Sequence, residues 1–272
     1  MFTVTTSTKS HKPANAIEQL RRLQILLAED NTLNAKLVSV LFTREGIGLT
    51  LAKNGQEAIE KIKNEKYDLV LMDMEMPVMN GYQATSIIRQ VLHNTIPIIA
   101  MTANRDAGEK KKCLQLGMNE YISKPIDAAF LFKTIHKLVY GRPTVLTKPV
   151  IAKLPALRVS TEKVCNMGYL TGATRGNKKM MHNILTVFFK ETGKELVMLK
   201  DAIVNSNYTA INGISHKIKS AFAILGISVL EPVFNEMEHL SKHSSGIVKI
   251  ELLNRRVNIV FNKARIEMKA PS

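Results

Sequence analysis

Leu69-Val70-Leu71-Met72-Asp73-Met74-Glu75-Met76-Pro77-Val78-Met79-Asn80-Gly81 is the stretch that decides how this chain folds. A short apolar run ends on a carboxylate, and a loop carrying a proline and a glycine follows. Such a run, bounded by turn residues, reads as a buried strand with Asp73 at its C-terminal end. Three more runs end alike. Leu26-Leu27-Ala28 ends in Glu29-Asp30, Ile98-Ile99-Ala100-Met101 ends in Thr102, and Tyr121-Ile122-Ser123 ends in Lys124-Pro125. On one edge of a parallel sheet these ends would gather three carboxylates, a hydroxyl and an ammonium, at the edge where such folds place their chemistry.

Working outward, apolar runs at 24–28, 48–52, 68–73, 96–101 and 119–122 alternate with helically spaced stretches at 33–44, 55–63, 81–91, 106–116 and 127–139. Five strand–helix pairs predict an α/β, doubly wound, five-stranded parallel sheet covered by helices on both faces. Gly141-Arg142-Pro143 stops the last helix, because proline cannot continue one. The organisation expected is a flexible lead-in at 1–22, an α/β domain at 23–140, a basic proline-containing linker at 141–160, and a second domain at 161–270. In the second domain, Met181, Ile184, Leu185, Val187, Phe188 and Phe189 recur at helical spacing, with Leu196, Leu199 and Ile203 after them. Further helical stretches at 208–225, 228–242 and 246–268 predict an all-α bundle.

At 272 residues the chain has room for two ordinary domains. No segment reaches the length of a membrane span, and the first twenty residues lack the apolar core of a signal peptide, so a cytoplasmic chain is expected. A longer parent could still be membrane-anchored. Cys113 and Cys165 lack metal-ligand spacing and read as reduced thiols. The net charge of +15 divides as +4 over 1–140, +4 over 141–160 and +7 over 161–272. That spread, with no tryptophan to stack on bases, argues for a solvated surface or an acidic partner rather than nucleic acid.

A carboxylate can attack phosphorus only when the negative charge on both partners is offset, and Mg²⁺ held by a few oxygens does this. Glu29, Asp30 and Asp73 supply the anionic oxygens, and the Glu75 backbone carbonyl is a further ligand by position. Lys124 would pair with one phosphoryl oxygen and Thr102 would donate a hydrogen bond to another. The competing reading makes each acid, or Thr102, a helix N-cap, and Lys124-Pro125 a turn.

Glu29-Asp30, Asp73 with Met76-Pro77 and Gly81, Thr102-Ala103, and Lys124-Pro125 together resemble the signature of the receiver domain of two-component response regulators, over residues 23–140. The resemblance implies a flavodoxin-like fold, a phosphoacceptor at Asp73, Mg²⁺ at Glu29 and Asp30, and phosphoryl contacts from Lys124 and Thr102. Tyr121 falls at that family's mobile aromatic, which turns inward when Thr102 is drawn to the phosphate. Otherwise it is a half-buried strand aromatic.

In the second half, His216 stands in Ile214-Ser215-His216-Lys217-Ile218-Lys219-Ser220-Ala221. Ile211, Ile214, Ile218, Ala221, Phe222 and Leu225 form the core stripe. His216 falls off it and is expected to be exposed to solvent, with Lys219 and Ser220 as its helix neighbours. A neutral imidazole is a competent nucleophile near pH 7, Lys219 could offset incoming phosphoryl charge, and small Ser220 leaves room for a partner loop. A surface histidine on a lysine-rich helix is the plainer alternative. His216-x-x-Lys219-Ser220 resembles the histidine phosphotransfer (HPt) domain over residues 165–268, with an amphipathic helix pair, the histidine helix and two more helices.

A receiver followed by an HPt domain resembles the C-terminal part of a hybrid sensor histidine kinase. It implies phosphoryl transfer from an upstream histidine kinase to Asp73, and exchange between His216 and the aspartate of another receiver. No phosphate loop or kinase ATP-binding core is visible in the sequence. The rivals are a DNA-binding output domain and a purely structural helical output domain.

Overall fold

A computed structural model describes residues 16–103, 107–141 and 164–269. Most of the expected lead-in, and all but Gly141 of the expected linker, lie outside these residues.

Five parallel strands form one sheet in the order β2-β1-β3-β4-β5. They are β1 (Ile25–Ala28), β2 (Leu49–Ala52), β3 (Leu69–Asp73), β4 (Ile98–Thr102) and β5 (Glu120–Ser123). Side chains alternate between its two faces. Leu27, Leu71 and Met101 join one buried cluster with Leu131, Phe132 and Ile135 of α6 (Ala128–Tyr140) and with α2 (Thr32–Glu45). Leu26, Val70, Met72 and Ala100 join the other with α3 (Gly55–Asn64), α4 (Gly81–Ser86) and α5 (Ala107–Gln115). With helices on both faces the central strands β1, β3 and β4 are buried on both sides, which is why they read as continuous apolar runs, while the edge strands β2 and β5 stay partly exposed.

Two expectations need correction. The lead-in is not featureless throughout. Ala16–Leu20 form α1, Leu20 is buried, and Gln19 ties to α6 through His136 Nε2 at 2.8 Å and the Tyr140 hydroxyl at 3.0 Å. The helix expected at 81–91 ends at Ser86 and continues as a π-helical turn, Ile87–Val91. Arg89 anchors that turn by donating to the carbonyls of Asn94, Ile96 and Gly117. The helix pair expected at the start of the second half is the short α7 (Gly168–Thr174) followed by the long α8 (Lys178–Val204). Gly193 lies inside α8, and a mid-helix glycine costs only about 1 kcal/mol, which the packed face of α8 outweighs.

The second half is helical as expected: α7, α8, α9 (Tyr208–Ile224), a 3₁₀ turn Ser228–Leu230, α10 (Glu231–Lys242) and α11 (Ile247–Lys269). Asn177 and Asn207 cap α8 and α9 by accepting from Met180 and Ala210. Phe188, Phe222, Phe234 and Phe261 meet in the bundle core, with Phe188 edge-on to Phe222 at 5.5 Å.

The two halves pack against each other along α2. One cluster of buried side chains runs from the sheet through Leu33, Leu37 and Leu41 to Leu170, Ile184 and Ile218. On a helix at 100° per residue, the buried positions Leu33, Leu37, Val38, Val40, Leu41 and Phe42 cover roughly 200° of arc, twice what one packed face needs. The helix is therefore covered from two sides. Polar ties flank this contact. Arg44 Nη1 donates to the Ala173 carbonyl at 2.7 Å, the Tyr169 hydroxyl donates to the Ile126 carbonyl at 3.0 Å, and Arg175 pairs with Glu45 at 3.0 Å.

Candidate functional site

Strands β1 and β3 are neighbours with Ala28 opposite Met72, so the residues that follow them emerge side by side. Glu29, Asp30 and Asp73 each place a carboxylate oxygen within 4.8 Å of the others. None of the three is the cap of the helix that follows. Asn31 caps α2, accepting from Leu33 and Asn34, and Asn80 caps α4 in a reciprocal box with Gln83. The carboxylates are thus left to face one another at the sheet edge.

Their burial is deep: Glu29 is 4% exposed and Asp73 3%. Asn34 Nδ2 donates to Glu29 at 3.0 Å, so the first turn of α2 also orients the acid before it. Lys124 follows β5 and reaches both Glu29 Oε2 and Asp73 Oδ2 at 2.7 Å. Burial, then the negative charge of Asp73, push the Glu29 carboxyl up to about 8, against the opposing pull of Lys124. Burial alone would lower the Lys124 ammonium, but attraction to Asp73 and Glu29 outweighs it and holds the group above its ordinary value. Gly81 is required by close approach: a Cβ there would lie 2.3 Å from the Asp73 carbonyl oxygen. Thr102 ends β4 beside Ser123 of β5 and is buried. Tyr121 is half-buried on β5, packed against the second cluster. The peptide between Lys124 and Pro125 is cis.

Three oxygens so close, in a pocket that has drawn in an ammonium, suit a small hard cation. Residues 25–136 match the family of response regulator receiver domains. This part of the chain is a receiver domain. Its relatives include hybrid signal transduction histidine kinase I of Dictyostelium discoideum, 41% identical over 121 residues, which are 42% of this chain and 7% of that protein. Signal transduction histidine-protein kinase BarA of Escherichia coli K12 is 25% identical over 206 residues, 75% of this chain and 22% of that protein. A solved magnesium-bound receiver domain of sensor histidine kinase PA1611 from Pseudomonas aeruginosa is 37% identical, covering 44% of this chain and 98% of its own, with a TM-score of 0.40. The chain thus spans less than a quarter of the length of these two curated relatives.

The helical half meets the receiver at this edge. His216 on α9 is not solvent-exposed as expected; it is 9% exposed. It does lie off the bundle's apolar stripe, but the receiver loop after β3 and the side of α10 cover it. Its Nδ1 lies 3.0 Å from Glu75 Oε2 and 3.5 Å from Glu238 Oε1. Carboxylates accept, so Nδ1 is the donor to them, and in a neutral ring that leaves the lone pair on Nε2. Lys219, expected to be available to a phosphoryl group, pairs instead with Glu238 at 2.7 Å. Burial would raise Glu238, but hydrogen bonds from His216 and Lys219 hold it below the usual glutamate range. Buried Ser220 lines a cavity of about 200 Å³ between the halves, with Lys124, Pro125, Ala103 and Lys219. Lys217 pairs with Asp30 at 2.5 Å. Beside that pair, burial pushes Glu195 of α8 up to about 7, while Lys217 draws it down.

Sequence reasoning missed Glu238, Glu195 and Lys217. Each acts through a partner distant in sequence, and no local motif marks it. Among the described residues, no helix is long and apolar enough to cross a membrane.

Proposed function

We propose that this chain is a two-station element of a phosphorelay, corresponding to the C-terminal portion of a hybrid sensor histidine kinase. Asp73 accepts a phosphoryl group from the phosphohistidine of a kinase, and His216 exchanges it with the aspartate of a receiver. The observation that carries this reading is the placement of His216 beside Glu75, two residues past Asp73. The length of the alignment with the BarA kinase, which exceeds a receiver domain, supports an association of the two halves. Nucleic acid and membrane contacts are not part of this reading.

Mg²⁺ would be held by Glu29, Asp30 and Asp73, with the Glu75 carbonyl a further ligand by its position in the chain, and bound there it would supply positive charge to the phosphoryl oxygens. An Asp73 carboxylate oxygen attacks phosphorus as the donor imidazole leaves with the P–N electron pair. For onward transfer, Nε2 of His216 attacks the same phosphorus and the Asp73 carboxylate departs with the P–O pair. The positive charge that develops on the imidazole is met by Glu75 and Glu238 at Nδ1. Lys124 offsets charge on a phosphoryl oxygen and Thr102 donates to another. Tyr121 follows Thr102 inward.

The test is labelled phosphate delivered from a histidine kinase to wild type, Asp73→Asn and His216→Gln. Asp73→Asn should lose all label. His216→Gln should keep acid-stable acyl phosphate and fail to pass label to a second receiver. Unchanged onward transfer in His216→Gln would return the second half to a structural role.

A further inference from the structure

Three carboxylates share the receiver edge, and Lys124 neutralises only two of them, Glu29 and Asp73. The third, Asp30, is met from the other half of the molecule. Lys217 Nζ lies 2.5 Å from Asp30 Oδ2, where the Asp30 side chain is only 5% exposed. The neighbouring Asn31 donates from Nδ2 to the Lys217 carbonyl at 3.2 Å, so main chain and side chain of one residue grip the same loop. His216, next in the chain, holds the other loop through Glu75. Both ion pairs that seat α9 on the receiver are therefore made to the pocket's own acidic rim, at Asp30 and Glu75.

Resting on the phosphorelay reading for the identity of the cation, we propose that Lys217 and a divalent cation compete for Asp30, so that metal loading of the receiver loosens its docking to the helical half. The reason is electrostatic. A cation bound to Asp30 at roughly 2.1 Å would face the ammonium across one buried carboxylate, and two positive centres that close repel in a weakly screened site. The Lys217 side chain is 32% exposed, so its ammonium has a route to water once displaced. The docked form is then one in which Lys217 supplies the charge that Mg²⁺ otherwise supplies, so acceptance at Asp73 belongs to the metal-loaded, undocked form and transfer to His216 to the form re-docked once Lys217 has regained Asp30. The docked form also covers the Asp73 edge that a kinase histidine must reach. Metal binding and access to Asp73 become linked, and the linkage is reciprocal: whatever factor docking costs the metal, the metal costs docking.

The full chain is titrated with Mn²⁺, and free Mn²⁺ is read by electron paramagnetic resonance. Lys217→Gln should bind Mn²⁺ about 5- to 20-fold more tightly than wild type, within the usual span of such couplings. Lys217→Arg, which keeps the cation, should stay near wild type. In parallel, Mg²⁺ should enlarge the radius of gyration of wild type in small-angle scattering and change Lys217→Gln less. A Lys217→Gln affinity within about twofold of wild type, below the smallest coupling of that span, overturns the competition, as do wild-type dimensions indifferent to Mg²⁺. Failure of the relay reads out separately, through label transfer in His216→Gln. Loss of transfer there with no change in Mn²⁺ affinity in Lys217→Gln removes the competition alone. Unchanged transfer with tightened Mn²⁺ binding removes the relay alone.

Discussion

Replacing Lys124 by Met keeps the length and most of the volume of the side chain and deletes one charge. The structure lets the cost be worked out. The ammonium is 2.7 Å from both Glu29 and Asp73, with side chains 7%, 1% and 4% exposed for Lys124, Glu29 and Asp73. Removing one partner from a buried ion pair costs roughly 3–5 kcal/mol, mostly because an uncompensated charge stays behind. Glu29 can relieve part of this by keeping a proton, since its carboxyl is already pushed up to about 8. The expected loss near pH 7 is therefore about 3 kcal/mol, the lower end of that range. The sign with pH follows. Where the folded chain holds a proton that the unfolded chain has lost, stability falls as pH rises. In wild type the Glu29 contribution falls between its ordinary 4.5 and about 8 and then levels off. Without Lys124 the carboxyl rises further, so the fall continues and the gap between the proteins widens above about 8. Urea denaturation of the full chain in EDTA, followed by circular dichroism, reads the gap. Repeating it in saturating Mg²⁺ should close at least half of it, because the cation replaces the missing charge. A loss under about 1 kcal/mol in EDTA, the scale of an exposed pair, would refute the buried-triad reasoning.

Two further outcomes are expected. Gly81→Ala should destabilise the chain by about 2 kcal/mol and slow phosphoryl acceptance at Asp73, since its Cβ would fall 2.3 Å from the Asp73 carbonyl oxygen and push the β3 end aside. Wild-type stability in a urea titration would show the packing to be more tolerant. Glu238→Gln should cost about 2 kcal/mol by leaving Lys219 and His216 without their carboxylate. Because the folded Glu238 lies below 4.5, its contribution is complete above that pH and lost as pH falls through the lower folded value. A wild-type-to-variant difference that stays constant from pH 7 to pH 3 would contradict this.

The receiver half was legible because its signals are local. Asp73, Glu29-Asp30, Thr102 and Lys124 each end an apolar run, and parallel pairing of β1 with β3 and of β4 with β5 then brings those ends together without further information. The bundle was legible as helix for the same reason. His216 was picked out by its spacing to Lys219 and Ser220 and its position off the apolar stripe, but its exposure was misread. Helical periodicity tells which face avoids the bundle's own core, not what else covers that face.

Chain order and hydrophobic period alone determine the parallel sheet, the helical bundle and the acids at the sheet edge, because strand and helix patterns are set by neighbours a few residues apart. Only the tertiary structure decides that α2 is buried from two sides, that Lys219 belongs to Glu238, and that Lys217 reaches Asp30. Those are contacts between residues far apart in the chain. Their pairing is set by how two folded surfaces fit and by where buried charge must be balanced.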